Sequence, residues 1–497
     1  MSLKYMLITF LLVGITAGDT VLNKKRFPKD FMFGVATSSY QIEGGWNEDG
    51  KGESNWDHFV HQIPSPIANN GTGDIACDSY HKMKEDVALL KYLGVKHYRF
   101  SLSWSRILPT GYTNKINQAA IKYYKSLIRE LTDNDIEPIV TLLHYDTPQV
   151  LEDMGGWTTE WIIDRYVEYT AVCFENFGAD VKYWLTFNEA FFMCTLGYGL
   201  GAQAPGRKAS GIGDYICAHN IIKAHAKAFH LYHDIYKPVQ KGSIGISLVS
   251  IYAEPKSDSD EDKEAAERMM FFNFGWFASP IMFGSYPYQM DILINERSYV
   301  QGFPQSRLPA FTEEEKDYIA GTADFFGLNY YTSVVVQNLR DFQDLNVSWE
   351  ADVEVIQSQD PSWENTTTDR FSVYPDGLYK LVKWISKNYN NVSIIITENG
   401  YPDKGESLQD DKRISYIQRH LSKLRDAMDE GVQVFGYTFW SLMDNFEWLS
   451  GYTTKYGLFE VDFNSPNRTR TAKKSADYVK KVYKSRCILD DSSECYG

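Results

Sequence analysis

The chain has 497 residues, of which 43% are hydrophobic and 23% charged, an ordinary globular composition that excludes disordered, collagen-like and coiled-coil proteins. Its 65 acidic and 50 basic residues give a net charge of −15, which repels phosphates and anionic lipids and argues against nucleic-acid binding. Aromatic residues make up 15% of the chain, enough to fill a core and also to line a pocket for ring-shaped ligands such as sugars.

The first residues have the pattern of a secretory signal. Lys4 supplies a positive charge, residues 5–17 form an apolar run, and Ala17 and Gly18 are the small residues expected at a cleavage site. Because this run is shorter than the ~20 residues that span a bilayer, we expect residues 1–18 to be a signal peptide, and we expect no membrane anchor. The predicted localisation is therefore extracellular, with a digestive lumen as one candidate compartment.

Secretion changes how the cysteines and asparagines are interpreted. Six cysteines are too few for a disulfide scaffold at this length. Cys487 and Cys495 are the first pair to test as a local bridge, Cys194 and Cys217 could bridge a loop, and Cys173 suits a buried helix; the connectivity stays open. Five Asn-X-Ser/Thr sequons are candidate glycan acceptors where they are exposed, and we expect some of them, not all, to be used: Asn70, Asn346, Asn365, Asn391 and Asn467.

Short β-rich segments alternate with helical patterns along the chain. The helical spacing is clearest at Ile121, Tyr124, Leu127, Ile128 and Leu131. The β-rich segments are residues 31–39, 95–104, 137–145, 181–189, 242–250, 324–333, 392–400 and 434–442. Eight apolar strands alternating with helices indicate an α/β fold, a single (β/α)8 TIM barrel with inserted loops. A doubly wound sheet is the alternative, but no GxGxxG motif opens a helix after the first strand.

No linker or break in composition divides the chain, so we predict one barrel domain over residues 19–497 that ends in a short tail. Residues 257–267 are expected to form a solvated loop running into a helix, and residues 341–370 a long loop above the barrel mouth. His225, His230 and His233 are interpreted as an exposed helix face, because no carboxylate completes a metal-ligand set. We expect no metal and no cofactor.

Polar side chains concentrate where the predicted strands end, which is where the loops of a parallel barrel build an active site. These residues are Gln41, Arg99, His144, Asn188, Glu189, Asn329, Tyr331, Glu398, Asn399, Trp440, Glu447 and Trp448. Two glutamates on different strands, with amide, imidazole and indole groups around them, suit the cleavage of a glycosidic bond. One carboxyl gives a proton to the leaving oxygen, while the other is ionised and acts at the anomeric carbon.

The segments that carry these residues resemble family 1 glycoside hydrolases, and are most similar to secreted animal, insect-like β-glucosidases. The matching segments are FMFGVATSSYQIEGGW, YRFSLSWSRILP, LLHYDTP, YWLTFNE, GLNYYTS, ITENG and YTFWSLMDNFEW, within residues 31–448, and the similarity continues to about residue 485. The resemblance implies a (β/α)8 barrel that hydrolyses O-linked β-D-glucosides in two steps and retains the anomeric configuration. It implies a small-molecule β-glucoside as substrate.

Residue by residue, the resemblance implies that Glu189 is the acid/base and Glu398 the nucleophile. It assigns support of the nucleophile to Arg99, Asn188, Asn329 and Tyr331. It assigns sugar binding to Gln41, His144, Asn188, Glu447 and Trp448, with Trp440 as the floor of the sugar site. We expect Arg99 and a tyrosine hydroxyl to favour the ionised form of Glu398, and the pKa of Glu189 to be raised until Glu398 is esterified. A retaining pair also predicts carboxyls about 5–5.5 Å apart.

The chain departs from the usual family pattern at two positions beside the site. Ala190 stands where Pro commonly follows the acid/base, and Tyr145 stands where Trp commonly follows the histidine. Neither change removes a reacting group. Two alternatives to a β-glucosidase stay open: an insect-type thioglucosidase (myrosinase) that uses the same site, and a klotho-like non-catalytic binding protein, which the presence of both carboxylates disfavours. The aglycone, the choice among glucose, galactose and fucose, and the oligomeric state are left open by the sequence.

Overall fold

The structure, a computed structural model, describes residues 22–339, 345–368 and 371–497. The predicted signal peptide at residues 1–18 lies outside the described residues. In the described part of the chain, no helix combines the length and the apolar character needed to cross a membrane.

Eight parallel strands close into a barrel. In chain order they are β1 (Met32–Ala36), β2 (His97–Ser101), β3 (Glu137–Leu143), β4 (Tyr183–Asn188), β5 (Ser243–Val249), β6 (Phe326–Asn329), β7 (Ile394–Glu398) and β8 (Val434–Trp440). Around the barrel the order is β1-β8-β7-β6-β5-β4-β3-β2, and every neighbouring pair is parallel. Each strand lies within one of the eight predicted segments, so the predicted fold class is confirmed.

Helices connect the strands, and helix Gln118–Thr132 buries the predicted apolar residues Ile121, Tyr124 and Leu131. The other long helices are Ser79–Leu93, Trp161–Phe177, Gly213–Leu231, Asp260–Met270, Trp276–Phe283, Tyr288–Val300, Pro375–Asn388, Asp411–Asp429 and Lys474–Ser485. Shorter α-helices are Ser39–Ile42, Asn55–Val60, Trp104–Ile107, Gln149–Asp153, Ala190–Phe192, Lys237–Gln240, Glu313–Ile319 and Trp349–Val353. The 3₁₀ and π segments are Ala68–Asn70, Gly156–Thr158, Met193–Gly199, Tyr232–Tyr236, Phe271–Gly275, Trp448–Ser450 and Ser492–Glu494.

The inside of the barrel changes from apolar to polar along the strands. Ile139, Leu185 and Ile395, from three different strands, pack together in the interior. Side chains two residues apart share a face of a strand, and two residues beyond Ile395 the side chain is Thr397. Its hydroxyl donates to Oδ1 of Asn329 at 2.6 Å. A hydrogen-bonded polar layer therefore lies between the apolar interior and the C-terminal ends of the strands.

The prediction for residues 257–267 is confirmed, because helix Asp260–Met270 begins after Ser259, whose side chain accepts from the backbone N–H of Asp262.

The interpretation of residues 341–370 as a long loop is wrong for the described part of that segment. It contains helix Trp349–Val353 and strand Val355–Ser358, which pairs antiparallel with strand Ser333–Asn338. Buried Asp352 anchors the helix through an ion pair of 2.6 Å with Arg307. The remaining strands outside the barrel are Tyr252–Pro255, Glu364–Asn365, Ser372–Val373, Phe459–Val461 and Arg470–Ala472. A four-residue strand whose partner is distant in sequence leaves no periodic pattern of its own.

The exposed face predicted for the three histidines is wrong for His225. This side chain is fully buried in helix Gly213–Leu231, and its two ring nitrogens bond to Thr186 Oγ1 and to the carbonyl of Thr322, each at 2.7 Å. The helix packs on the barrel, so this side chain turns inward. Among the described residues, no group of three or more His, Cys, Asp or Glu side chains is placed to hold a metal ion.

Both cysteine pairings considered from the sequence are present as disulfides, Cys194–Cys217 and Cys487–Cys495. Cys77 and Cys173 are buried thiols, and Cys173 lies in helix Trp161–Phe177 as expected.

Candidate active site

A cavity of about 760 Å³ opens at the C-terminal ends of the barrel strands. It is lined by these predicted site residues: His144, Glu189, Tyr331, Glu398, Trp440, Glu447 and Trp448. Arg99, Asn188 and Asn329 lie directly behind the lining, where they bond to the glutamates or to one another. The structure therefore brings the predicted residues of at least five strand ends to one place.

An irregularity in β4 turns its last residues towards the cavity. Leu185 points into the barrel. The next two side chains both point outward, since Thr186 bonds to His225 and Phe187 packs against Trp157. The register with β5 shifts between Leu185 and Asn188, which returns Asn188 to the interior. Glu189 follows with a left-handed φ of 46°. Bulges of this kind redirect side chains and are common beside active sites.

β7 has a similar shift in its register with β6, between Ile396 and Glu398. As a result two consecutive side chains, Thr397 and Glu398, both reach the interior network, which the alternation of a regular strand would prevent.

Three residues that line the cavity have a left-handed backbone. Tyr145, Glu189 and Trp448 have φ values of 75°, 46° and 46°. Left-handed backbone costs a residue with a Cβ roughly 1–2 kcal/mol, and it persists only where surrounding contacts hold it. These three side chains all line the cavity, so the strain is associated with how they are aimed.

Glu398 is paired on both carboxylate oxygens. Nη1 of Arg99 lies 2.7 Å from Oε1, and the hydroxyl of Tyr331 donates to Oε2 at 2.7 Å. The guanidinium is almost completely buried and also donates to the carbonyl of Thr397 at 3.0 Å. A positive charge on one oxygen and a hydroxyl donor on the other both stabilise the ionised carboxylate.

Two amides connect Arg99 to the second glutamate. Nη2 of Arg99 donates to Oδ1 of Asn188 at 2.6 Å. Nδ2 of Asn329 donates to the same oxygen at 3.1 Å and to Oε1 of Glu189 at 2.9 Å. One guanidinium therefore orients both carboxyls.

Glu189 is held in a different electrostatic state. Burial, and then the negative charge of Glu398, raise its pKa to about 8, while hydrogen bonds from Tyr145 and Asn329 act in the opposite direction. Glu189 therefore carries a proton at neutral pH. Two carboxyls of one cavity, one in an ion pair and one protonated, are suited to nucleophilic attack and to proton donation.

Glu447 lines the cavity together with Glu189 and Glu398. Its pKa is raised to about 8 by removal from bulk water and by the charges of the other two. The indole rings of Trp440 and Trp448 face the same cavity, and both lie nearly parallel to the ring of His144, at centroid distances of 5.9 and 6.0 Å. Carboxyl and indole groups side by side suit the hydroxyls and apolar faces of a sugar ring.

Burial and the charge of Arg99 lower the pKa of His144 well below its usual value, so the imidazole is neutral. Nε2 faces the amide nitrogen of Asn188 at 3.1 Å, and Nδ1 has no partner among the described residues. Nδ1 is buried, so the part of the ring that lines the cavity is held in place by Asn188.

Gln41, which the resemblance assigns to sugar binding, is fully buried and is not among the described residues that line the cavity. Its amide accepts from Ser38 Oγ at 2.6 Å and donates to Asn445 Oδ1 at 3.1 Å and to the carbonyl of Phe446 at 2.9 Å. These bonds fix the loop that carries Glu447.

Sequence reasoning missed the contact between Tyr145 and Glu189, and the supporting layer of Thr141, Ser247 and Thr397. Nε of Arg99 donates to Thr141 Oγ1 at 3.1 Å. Thr141, Ser247 and Thr397 are marked in the sequence only by their position near strand ends, since small hydroxyl residues are common in strands, whereas Tyr145 is also marked by standing where Trp is usual.

A sequence profile described as glycosyl hydrolase family 1 matches residues 23–487. The chain is 46% identical over 460 residues to myrosinase 1 of Brevicoryne brassicae, which covers 92% of this chain and 98% of that protein. It is 44% identical over 464 residues to cytosolic beta-glucosidase of Homo sapiens, and this match covers 92% of this chain and 98% of that protein. The solved structure of an aphid myrosinase superposes with a TM-score of 0.89 at 46% identity. The match covers 92% of this chain and 99% of that chain. The resemblance drawn from the motifs is confirmed.

Replacing Glu398 by Gln is expected to lower the pKa of Glu189 below about 8, because a neighbouring negative charge that raises it is removed. Carboxyl ¹³C NMR titration of glutamate-labelled protein measures this shift. Glu152→Gln is the control, since Glu152 is also a buried glutamate but does not line the cavity, and it is expected to leave the titration of Glu189 in place. An unchanged pKa in Glu398→Gln contradicts the coupling of the two carboxyls.

Proposed function

The chain belongs to glycosyl hydrolase family 1 and is a glycosidase, and we propose that it hydrolyses O-linked β-D-glucosides with Glu398 as nucleophile and Glu189 as general acid and base. The observation that carries this proposal is the contrast between the two carboxyls. Arg99 and Tyr331 bond to the oxygens of Glu398, whereas Glu189 has its pKa raised to about 8.

In the first step, an oxygen of Glu398 forms a bond to the anomeric carbon as the bond from that carbon to the glycosidic oxygen breaks. Glu189 gives its proton to the departing oxygen, so the aglycone leaves as a neutral alcohol. The product on the protein is a glycosyl ester of Glu398.

In the second step, esterification has removed the negative charge of Glu398 and with it one of the two causes that raise the pKa of Glu189. The ionised Glu189 accepts a proton from water, the water oxygen bonds to the anomeric carbon, and the ester bond breaks. Two displacements on opposite faces of the carbon retain the β configuration.

For sugar binding we assign Glu447 to two sugar hydroxyls and the indole faces of Trp440 and Trp448 to the apolar side of the ring. We also assign His144 and Asn188 to the sugar site, where the imidazole ring lies nearly parallel to both indoles and Asn188 contacts its Nε2. Gln41 supports this group through the loop before Glu447.

The lining of the cavity favours an uncharged, partly apolar aglycone. Apolar side chains there include Phe192, Leu196, Ile251, Val334 and Phe371. Among the lining residues that the structure describes, none is Lys or Arg. The sulfate of a glucosinolate would therefore meet the acidic cavity without a cation from this lining, which supports an O-glucosidase over the thioglucosidase alternative despite the similarity to a myrosinase.

We also infer that the protein is secreted and glycosylated. The five sequon asparagines at 70, 346, 365, 391 and 467 are exposed, and two disulfides fit an oxidising compartment. Treatment of the protein from its native source with peptide N-glycosidase is expected to lower its mass. An unchanged mass, with peptide mapping that finds every sequon unmodified, contradicts the glycan assignment.

Glu189→Gln is expected to reduce kcat/KM for alkyl β-glucosides by about 100-fold or more, the usual contribution of general acid catalysis. The loss is expected to be much smaller for dinitrophenyl β-glucoside, because a good leaving group needs little protonation. Steady-state kinetics on the two substrates measure the difference. Equal losses on both contradict the acid/base assignment, and Glu447→Gln is the matched control, with losses expected to be independent of the leaving group.

A matched pair of substrates tests the aglycone. Nitrophenyl β-glucoside is expected to be hydrolysed with a higher kcat/KM than the glucosinolate sinigrin, because the described lining offers apolar contacts and no cation. A higher kcat/KM for the glucosinolate places the thioglucosidase alternative first. Turnover of neither substrate by folded protein contradicts the proposed function.

A further inference from the structure

Tyr145 contacts the carboxyl that acts as acid and base in the proposed function. It follows His144 directly after β3, and its side chain is buried at the wall of the cavity. Its hydroxyl donates to Oε2 of Glu189. No step assigned above uses this hydroxyl.

The tyrosine ring is fixed from several sides. Its φ of 75° turns the side chain into the cavity, and its carbonyl accepts from the backbone N–H of Thr147 at 3.0 Å. The ring meets Trp448 edge-on at a centroid distance of 5.1 Å and His144 at 5.3 Å. The hydroxyl is therefore presented to Glu189 from a defined position.

A chain of donors fixes which oxygen of Glu189 can hold the proton. Arginine has no acceptor, so the atom of Asn188 that faces Arg99 is an oxygen, and that oxygen must accept. The atom of Asn329 that faces this oxygen must then be its amide nitrogen, which also donates to Oε1 of Glu189. Because the amide nitrogen of Asn329 occupies Oε1 as a donor, a proton on Oε1 would face another proton. The exchangeable proton of Glu189 therefore belongs on Oε2, beside Tyr145.

We propose that Tyr145 is a positioning residue that holds Oε2 of Glu189 and sets the protonation equilibrium of the acid/base. A phenol can both donate and accept, so it donates to the ionised carboxylate and can accept from the protonated one. Amide nitrogens such as that of Asn329 can only donate. Tyr145 is thus the partner of Glu189 that can reverse its role as the catalytic proton leaves and returns.

Other titratable or charged groups also act on Glu189 from the surrounding strand ends. Arg99 and Glu398 shift the pKa of Glu189, and the charge of Glu189 in turn raises the pKa of Tyr331, Glu447 and Tyr456. Tyr331 donates its hydrogen bond to Glu398 rather than to Glu189. Among the described tyrosines, Tyr145 is the one with a hydrogen bond to Glu189.

The test is Tyr145→Phe, which keeps the ring and removes the hydroxyl. Donation to the carboxylate stabilises the ionised form and lowers the pKa of Glu189, so its loss raises that pKa. Because bond cleavage needs the protonated acid, the alkaline limb of kcat/KM is expected to move to higher pH. The expected shift is about one pH unit, a tenfold change in the protonation equilibrium. Hydrolysis of an alkyl β-glucoside, whose poor leaving group needs the protonated acid, followed by glucose release across neutral and alkaline pH, measures it.

Tyr456→Phe is the control, because it removes a hydroxyl from the same cavity that has no hydrogen bond to Glu189 in the described structure. It is expected to leave the alkaline limb where it is in the parent protein. A Tyr145→Phe profile that falls uniformly, with its limb unmoved, reduces Tyr145 to a packing residue and overturns the proposal.

This inference rests on the proposed function, and Glu189→Ala separates the two. If the alkaline limb persists in Glu189→Ala, Glu189 is not the acid/base and the proposed function fails at that residue. If the limb disappears in Glu189→Ala and yet stays in place in Tyr145→Phe, only the role of Tyr145 fails.

Discussion

The site depends on a buried guanidinium that can donate hydrogen bonds and cannot accept them. Arg99 pairs with Glu398 at 2.7 Å and donates to Asn188 at 2.6 Å. Because the charge of arginine does not titrate near neutral pH, the orientations of the amides beside it are fixed. From this one side chain follow the ion pair of Glu398, the direction in which Asn329 donates, and the oxygen of Glu189 that holds the proton.

Arg99 forms an ion pair with one of the cavity glutamates, Glu398. Glu189 and Glu447 have no such ion pair in the described structure, and the three glutamates therefore take different roles. Three carboxyls share a buried space, and among the described residues the cation that pairs with one of them is Arg99, which bonds to Glu398. Burying a charge without a partner is costly, so Glu189 and Glu447 hold their protons up to pH of about 8. Esterification of Glu398 would remove its negative charge at the moment when Glu189 must become a base. The barrel supports this arrangement by placing each group on a different strand end.

Much of this architecture could be predicted from the sequence, because parallel barrel strands are apolar, short and separated by helical patterns. The polar residues that interrupt those strands at their ends, such as Glu189 and Glu398, marked the site. The register shifts before Asn188 and Glu398 could not be predicted, because a bulge depends on how two strands pair. The role of Tyr145 was missed for a similar reason: its contact joins two strand ends and leaves no sequence spacing to detect.

The most direct test of the account is to trap the glycosyl-protein intermediate. A 2-deoxy-2-fluoro-β-glucoside with a good leaving group slows the second step more than the first, so the intermediate accumulates. Intact mass followed by peptide mapping then locates the sugar. We expect one fluoroglucosyl group per chain, attached to Glu398. Attachment to Glu189 or Glu447, or turnover in which no covalent adduct forms, would contradict it.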